Sequence, residues 1–222
     1  MKKYKLTNQF ILWREKKLYR IKSLISFDDV KEGELGGYIE NENNLSQEGK
    51  CWVFNNAKIF ENARIFGNAR ISDYAQISGN AMIYDYSLVY GNAQVYGGTE
   101  IRRNAQVYDN ARVYGKTIIS SYARINGNSK ICGDVEVSSY AHINENAYVK
   151  NREDMLVIGE IGSRNDFITF FKSKDNKILV SCGCFSGNIK KFKKAVKKTK
   201  TRIKYKKVYL VAIKLAELQI EC

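Results

Sequence analysis

Residues 57–89 read AKIFENARIFGNARISDYAQISGNAMIYDYSLV, and an aliphatic side chain returns in them at every sixth position. The register extends both ways without a break, from Val53 and Ile59 through Ile65, Ile71 and Ile77 to Ile143 and Val149, seventeen positions in all. Two residues before most of these stands something small: Ala57, Ala63, Ala69, Ala75 and Ala81, with Ser87, Thr99, Thr117 and Ser129 in the same role further on. A helix repeats every 3.6 residues, so a period of six excludes it. A branched inward residue, a bend and a small inward residue describe a short strand that turns a corner at every repeat. Hexapeptide periods of this kind mark parallel β-helices.

The corner chemistry agrees. Gly67-Asn68, Gly79-Asn80, Gly91-Asn92, Asp109-Asn110 and Gly127-Asn128 follow the strand tips, and Gly and Asn tolerate the positive φ that a sharp corner needs. With three sides per coil, seventeen hexads predict five to six coils, a rod on the order of 28 Å long at the usual strand spacing.

These hexads resemble those of left-handed parallel β-helix proteins, the family that includes the hexapeptide acyltransferases; handedness is implied by the resemblance, not by the period. The segment before the rod is similar to the N-terminal cap of hexapeptide-repeat proteins from phages, prophages and bacteria. Leu35-Gly36-Gly37-Tyr38-Ile39-Glu40, Asn44-Leu45-Ser46 and Cys51-Trp52-Val53 carry that likeness. The expected fold is therefore mainly β: a cap over residues 1–50, a β-helix over 51–150 and a small α+β domain over 155–222. A cap has a physical purpose, because the end of a β-helix exposes an unpaired strand.

The third unit follows from a change of grammar after Val149. Met155 to Gly159, Phe167 to Phe171 and Ile178 to Cys182 read as three strands. Ser186-Gly187-Asn188 reads as the cap of a helix whose Ile189, Phe192 and Val196 face inward. A second helix over 205–219 places Val208, Val211, Leu215 and Leu218 on one stripe, read as its inward face. Ile161 to Asp166 and Cys182-Gly183-Cys184-Phe185 resemble the tail of some of the same phage-type proteins.

Charge divides unevenly. The chain carries 37 Lys+Arg against 23 Asp+Glu, a net of +14, and residues 155–222 hold +11 of it. The basic cluster consists of Lys190, Lys191, Lys193, Lys194, Lys197, Lys198, Lys200, Arg202, Lys204, Lys206 and Lys207. Such a surface can neutralise several phosphates, giving salt-sensitive affinity that is largely independent of sequence. A loop site is expected at Arg164, Asn165 and Asp166, and a rod face at Tyr84, Tyr90, Tyr96, Tyr108 and Tyr114, which fall on columns eighteen residues apart. Met82 and Ile118 on the third side would suit a contact between subunits.

Enzymatic function has one candidate. The family resemblance implies an acyltransferase with a histidine as general base, and His142 is the only histidine. It occupies an outward hexad position with no inserted loop to wall off a pocket, and is read as an ordinary surface residue, so no catalytic residue is assigned. Cys182 and Cys184, one residue apart and without further ligands nearby, are read as strand-end residues, and no metal or cofactor is expected. No apolar run reaches the roughly 18 residues of a membrane span. The basic start does not read as a secretory signal, and the five scattered cysteines fit no disulfide framework. The expected compartment is a host cytoplasm and no membrane is involved.

The leading expectation is a non-enzymatic, phage-type binding protein that inhibits a host protein or ribonucleoprotein complex, with RNA or DNA contact through the basic cluster. The phage resemblance makes a CRISPR effector or other defence complex a plausible target. A hexapeptide acyltransferase, a structural or assembly oligomer (dimer or trimer) and a sponge for nucleotide messengers are the rival expectations.

Overall fold

A computed structural model describes residues 2–199 and 202–222 of the chain; Lys200 of the basic cluster lies outside the described residues. The hexads form seventeen two-residue rungs, β4 (Trp52–Val53) to β20 (Tyr148–Val149). In every rung after the first, the aliphatic second residue is buried and the first residue faces outward. Each rung pairs in parallel with the one eighteen residues on, as Ile71 does with Val89 and Val89 with Val107. The result is a parallel β-solenoid of nearly six coils and three sheets, as the period of six implies. Each fully buried Ile or Val is worth roughly 1.5–3 kcal/mol relative to exposure, so the stacked aliphatic column dominates the rod's stability.

The small residues complete the inner wall. Ala57 to Ala147 at these positions are buried, and where a hydroxyl replaces the methyl it is satisfied by its own backbone. Ser87, Thr99, Thr117 and Ser129 donate to the carbonyls of Tyr84, Tyr96, Tyr114 and Asn126 at 2.6–2.8 Å. The corners adopt the left-handed conformation at glycines such as Gly79 (φ 67°) and also at Asp73 (59°), Asp85 (57°) and Asp109 (57°). The acidic corners have a second use. The Asp73 carboxylate accepts from the N–H of Gly91 at 2.9 Å, Asp85 from Arg103 at 3.0 Å and Asp109 from Gly127 at 3.1 Å, each tying one coil to the next.

At the N-terminal end, β1 (Tyr4–Trp13) and β2 (Lys16–Ser23) form an antiparallel hairpin, and β2 pairs antiparallel with β3 (Leu35–Ile39). β3 then joins the rod, pairing in parallel with Lys58–Ile59. Leu45 bridges to Ile65 in the same sense, so the coil is already turning before Cys51. Tyr4 and Phe27 meet the buried Trp52 ring edge-on and close the first coil. Beside them the Lys3 ammonium, almost fully buried, donates to the carbonyl of Cys51 at 3.0 Å and to those of Glu48 and Gly49 at 3.3 Å.

The C-terminal unit is a four-stranded antiparallel sheet, β21 (Met155–Ile161), β22 (Asp166–Lys172), β23 (Ile178–Cys182) and β24 (Phe185–Asn188), with helices α1 (Ile189–Lys198) and α2 (Ile203–Gln219). Period-two alternation gives the sheet two apolar faces. Met155, Phe171 and Leu179 close the end of the rod core, while Ile168, Phe170 and Val180 pack on the helices.

One expectation is extended here and one corrected. The Ser186–Asn188 segment is part of a fourth strand as well as a helix cap, since Asn188 both ends β24 and accepts from the N–H of Lys191 at 2.9 Å. On α2 the stripe is reversed: Val211 (68% exposed), Leu215 (46%) and Leu218 (72%) face solvent, and Ala212, Ile213 and Ala216 are buried. Small residues on the inner side let α2 lie close to the sheet, where Gln219 reaches the carbonyl of Met155 at 2.8 Å.

Candidate functional site

The outward position of His142 does not leave it at a free surface, because the C-terminal sheet lies over the last coils. On the rod-facing side of that sheet, Thr169 of β22 and Ser181 of β23 meet it. The His142 N–H donates to Oγ1 of Thr169 at 3.0 Å, Nδ1 lies 3.1 Å from the Ser181 hydroxyl, and Nε2 lies 3.0 Å from Oδ1 of Asn126 on the preceding coil. Burial and the neighbouring Arg124 push the imidazole pKa below its ordinary value, so the neutral ring is favoured. The reading as an ordinary surface histidine is corrected: the sheet that caps the rod is what buries it.

Around this ring the junction of rod and head leaves a cleft of about 260 Å³. Arg124 and His142 line its rod side; Asp166, Thr169, Ser181 and Gly183 line its head side. Its aromatic wall is a three-ring stack: Tyr122 on Tyr140 at 4.9 Å and 5°, and Phe167 on Tyr140 at 4.7 Å. Of the loop residues Arg164, Asn165 and Asp166, Asp166 lines the cleft and Arg164 lies beside Gly183. Asn165 takes the left-handed conformation (φ 47°), and Asp166 accepts from the N–H of Phe167 at 2.8 Å. The Asp166 carboxylate and the Arg164 guanidinium lie 3.5 and 3.6 Å from where a β-carbon on Gly183 would stand. At Gly162, the loop's base, a β-carbon would fall 2.0 Å from the Tyr209 hydroxyl and stand at a left-handed φ of 79°, so a larger residue would have to push the Tyr209 ring aside in a strained backbone.

Hydroxyl, imidazole and amide in this order are the parts of a nucleophilic relay. Ser181 is 5% exposed, and its hydroxyl with the Asn126 amide holds the ring from both sides. Cys182 ends β23 with its thiol pushed up by burial, and Cys184 is exposed in the following turn. Among the described residues no cluster of three or more His, Cys, Asp or Glu is placed to hold a metal.

The basic cluster forms a separate surface. Asn188 starts α1, Ile189, Phe192 and Val196 anchor it, and Lys190, Lys191, Lys194, Lys197 and Lys198 are exposed on its outer side. Lys197 and Lys198 also sit favourably at the negative end of the helix dipole. Arg202, Lys204 and Lys207 are exposed at the start of α2, and Lys206 donates to the carbonyl of Lys197 at 3.2 Å. Lys193 is half-buried and pairs with Glu217 at 3.6 Å; among the described residues it is the one member of the cluster with a carboxylate within 4 Å.

The rod tyrosines form ladders. Tyr90 stacks on Tyr108 at 4.8 Å, Tyr96 on Tyr114 at 4.9 Å, and Tyr84 on Phe66 at 4.7 Å. Tyr84 also bonds to the Glu100 carboxylate. Tyr84, Tyr90, Tyr108 and Tyr114 are half-buried by this stacking, and Tyr96 is 36% exposed. The corner tyrosines are more open: Tyr74 (58%), Tyr86 (64%), Tyr122 (51%) and Tyr140 (52%). Reading only the position after each aliphatic passed over them, although they fall two places further on in the same hexads.

The architecture defines a parallel β-solenoid repeat protein. In agreement, the YdcK beta solenoid repeat family matches residues 75–91 and 105–121, two stretches of the rod. No curated protein matches the chain. Among the described residues no helix is long and apolar enough to cross a membrane.

Proposed function

We propose that this protein is a non-enzymatic binding protein in which the β-solenoid rod carries a basic helical head onto a polyanionic surface. The observation that carries the reading is the row Lys190, Lys191, Lys194, Lys197 and Lys198 on α1, continued by Arg202, Lys204 and Lys207, exposed and without carboxylate partners among the described residues. A field of this kind attracts phosphate backbones and acidic protein faces over several ångströms.

Within that reading the target is a nucleic-acid-associated complex, and binding blocks it. The finer assignment rests on resemblance: the LGGYIE, NLS and CWV segments liken the chain to phage and prophage proteins, for which a CRISPR effector or another defence complex in the host cytoplasm is the corresponding target. Pull-down of the tagged full chain from host-type cells, with and without nuclease, tests it. Recovery of one defined complex, lost on charge reversal of Lys190, Lys191, Lys194 and Lys197, is the expected result. Unchanged recovery by the reversed variant would remove the head from the mechanism.

A second reading, an assembly role, is favoured by one observation. Val211, Leu215 and Leu218 form an exposed apolar line at 4- and 3-residue spacing, the geometry of a helix seam. The Met82 rung adds a further exposed apolar side chain, and Ile118 stands two rungs above it in the same column.

A further inference from the structure

The cleft at the rod–head junction is built from groups that the basic head does not use. If its only purpose were to join the two units, the polar contacts of His142 would be enough, and the space beside them would be filled. Instead about 260 Å³ stays open, bounded by chemistry of two kinds. One wall is flat and aromatic: the Tyr122–Tyr140–Phe167 stack has nearly parallel tyrosine planes, and both tyrosines are about half exposed. Tyr140 lies between Tyr122 and Phe167, so the face left for another flat ring is the outer one of Tyr122.

The other wall is cationic. Arg124 has no carboxylate within 4 Å among the described residues, and its planar fork suits an oxyanion. His142 contributes no charge in its neutral form. Asp166 is the one acid in the lining, with one oxygen engaged by the N–H of Phe167 and with Arg164 close by. In the lining Arg124 is the one cation against Asp166, and the Arg164 guanidinium beside Gly183 adds a second positive group outside it.

We propose that this cleft binds a small aromatic phosphate, up to the size of a nucleoside monophosphate, with its ring against Tyr122 and its phosphate on Arg124. The site is independent of the polyanion surface on α1, so either can fail without the other.

Titration calorimetry on the full chain tests the proposal with four probes: AMP, phenyl phosphate, adenosine and inorganic phosphate. At least one of the two aromatic phosphates should bind one per chain, at least tenfold tighter than adenosine or inorganic phosphate. Arg124→Ala and Tyr122→Ala change exposed or partly exposed side chains of an otherwise intact rod, and circular dichroism checks that each variant is folded. Each should weaken that binding at least tenfold, whereas reversal of Lys190, Lys191, Lys194 and Lys197 should leave it within twofold. The proposal is overturned if neither aromatic phosphate outbinds inorganic phosphate, or if the head reversal abolishes binding while folded Arg124→Ala retains it.

Discussion

The Ser181 hydroxyl on β23 and Nδ1 of His142 in the rod lie 3.1 Å apart, a hydrogen bond between residues 39 positions apart in the chain. Because Nε2 faces the amide oxygen of Asn126, it carries the ring proton, and Nδ1 accepts from Ser181. Both contacts are satisfied by the neutral ring. The rod's last coils and the head thus share a polar joint that works in one protonation state.

Stability should therefore depend on pH through this residue. Burial and Arg124 hold the folded pKa below the ordinary value of 6.5. The contribution is full above about pH 6.5, where the ring is neutral in both states, and is lost as pH falls from there through the folded pKa, because the unfolded chain takes up a proton that the folded one resists. Thermal melts across this range should show Tm falling more steeply for the native protein than for His142→Gln. Parallel curves for the two would exclude the joint as the titrating element.

The corners make a second prediction. In Gly79→Ala the new β-carbon would stand 2.7 Å from the backbone nitrogen of Gly97, in a left-handed conformation. Adjacent coils cannot separate without breaking the ladder, so the substitution should cost more than about 1 kcal/mol. Gly98→Ala has no positive φ and an ordinary 3.5 Å contact with Gly115, and should lie within about 0.5 kcal/mol of the native protein. Urea midpoints of the two variants compare them directly; equal shifts would mean that coil spacing is not what the glycine protects.

A third prediction separates the two sides of α2. Ile213 is fully buried against the head sheet, and Ile213→Ala should destabilise the protein by about 2–5 kcal/mol. Val211→Ser and Leu218→Ser alter exposed positions and should change stability by no more than about 0.5 kcal/mol. If light scattering finds an oligomer, the same serine variants should dissociate it, since the seam would then be its interface. Strong destabilisation of a monomer by Val211→Ser would instead place that side chain in the core.

What was legible in the sequence follows from which interactions are local. The rod could be read because each hexad repeats the same inward Ile or Val, small residue and left-handed corner, and a repeat tells its own register. Asn188 as a helix cap and the lysine face of α1 were equally local. The orientation of α2 was not, because the helix is apolar on two sides and the choice depends on Ala212 and Ala216 fitting close to a sheet formed earlier in the chain. The junction cleft was hidden for a similar reason. His142, Arg164, Asp166 and Ser181 are scattered along the sequence, and only the docking of β22 and β23 over the last coils brings them together. One signal was available: Thr169 and Ser181 are polar residues on strands whose neighbours Phe171 and Leu179 close the rod, and polar residues on a buried face need partners.

The final prediction concerns the head and salt. If the α1 and α2 lysines meet a phosphate backbone, binding releases condensed counterions, and log K must fall with log salt at a slope of about −0.7 per phosphate neutralised on a single strand. Five exposed lysines on α1 and three further cations on α2 allow several phosphates to be met at once. Polarisation of a labelled single-stranded RNA should therefore show a slope steeper than about −2. Neutralising Lys190, Lys191, Lys194 and Lys197 to Gln should flatten it by about 0.7 for each phosphate that is no longer neutralised, whereas Lys193→Gln should matter less, because that lysine is already paired with Glu217. An unchanged slope in the fourfold variant would show that the phosphates are met elsewhere. Absence of RNA binding at low salt would turn the basic head toward an acidic protein face, whose attraction is screened by salt without a counterion-release slope.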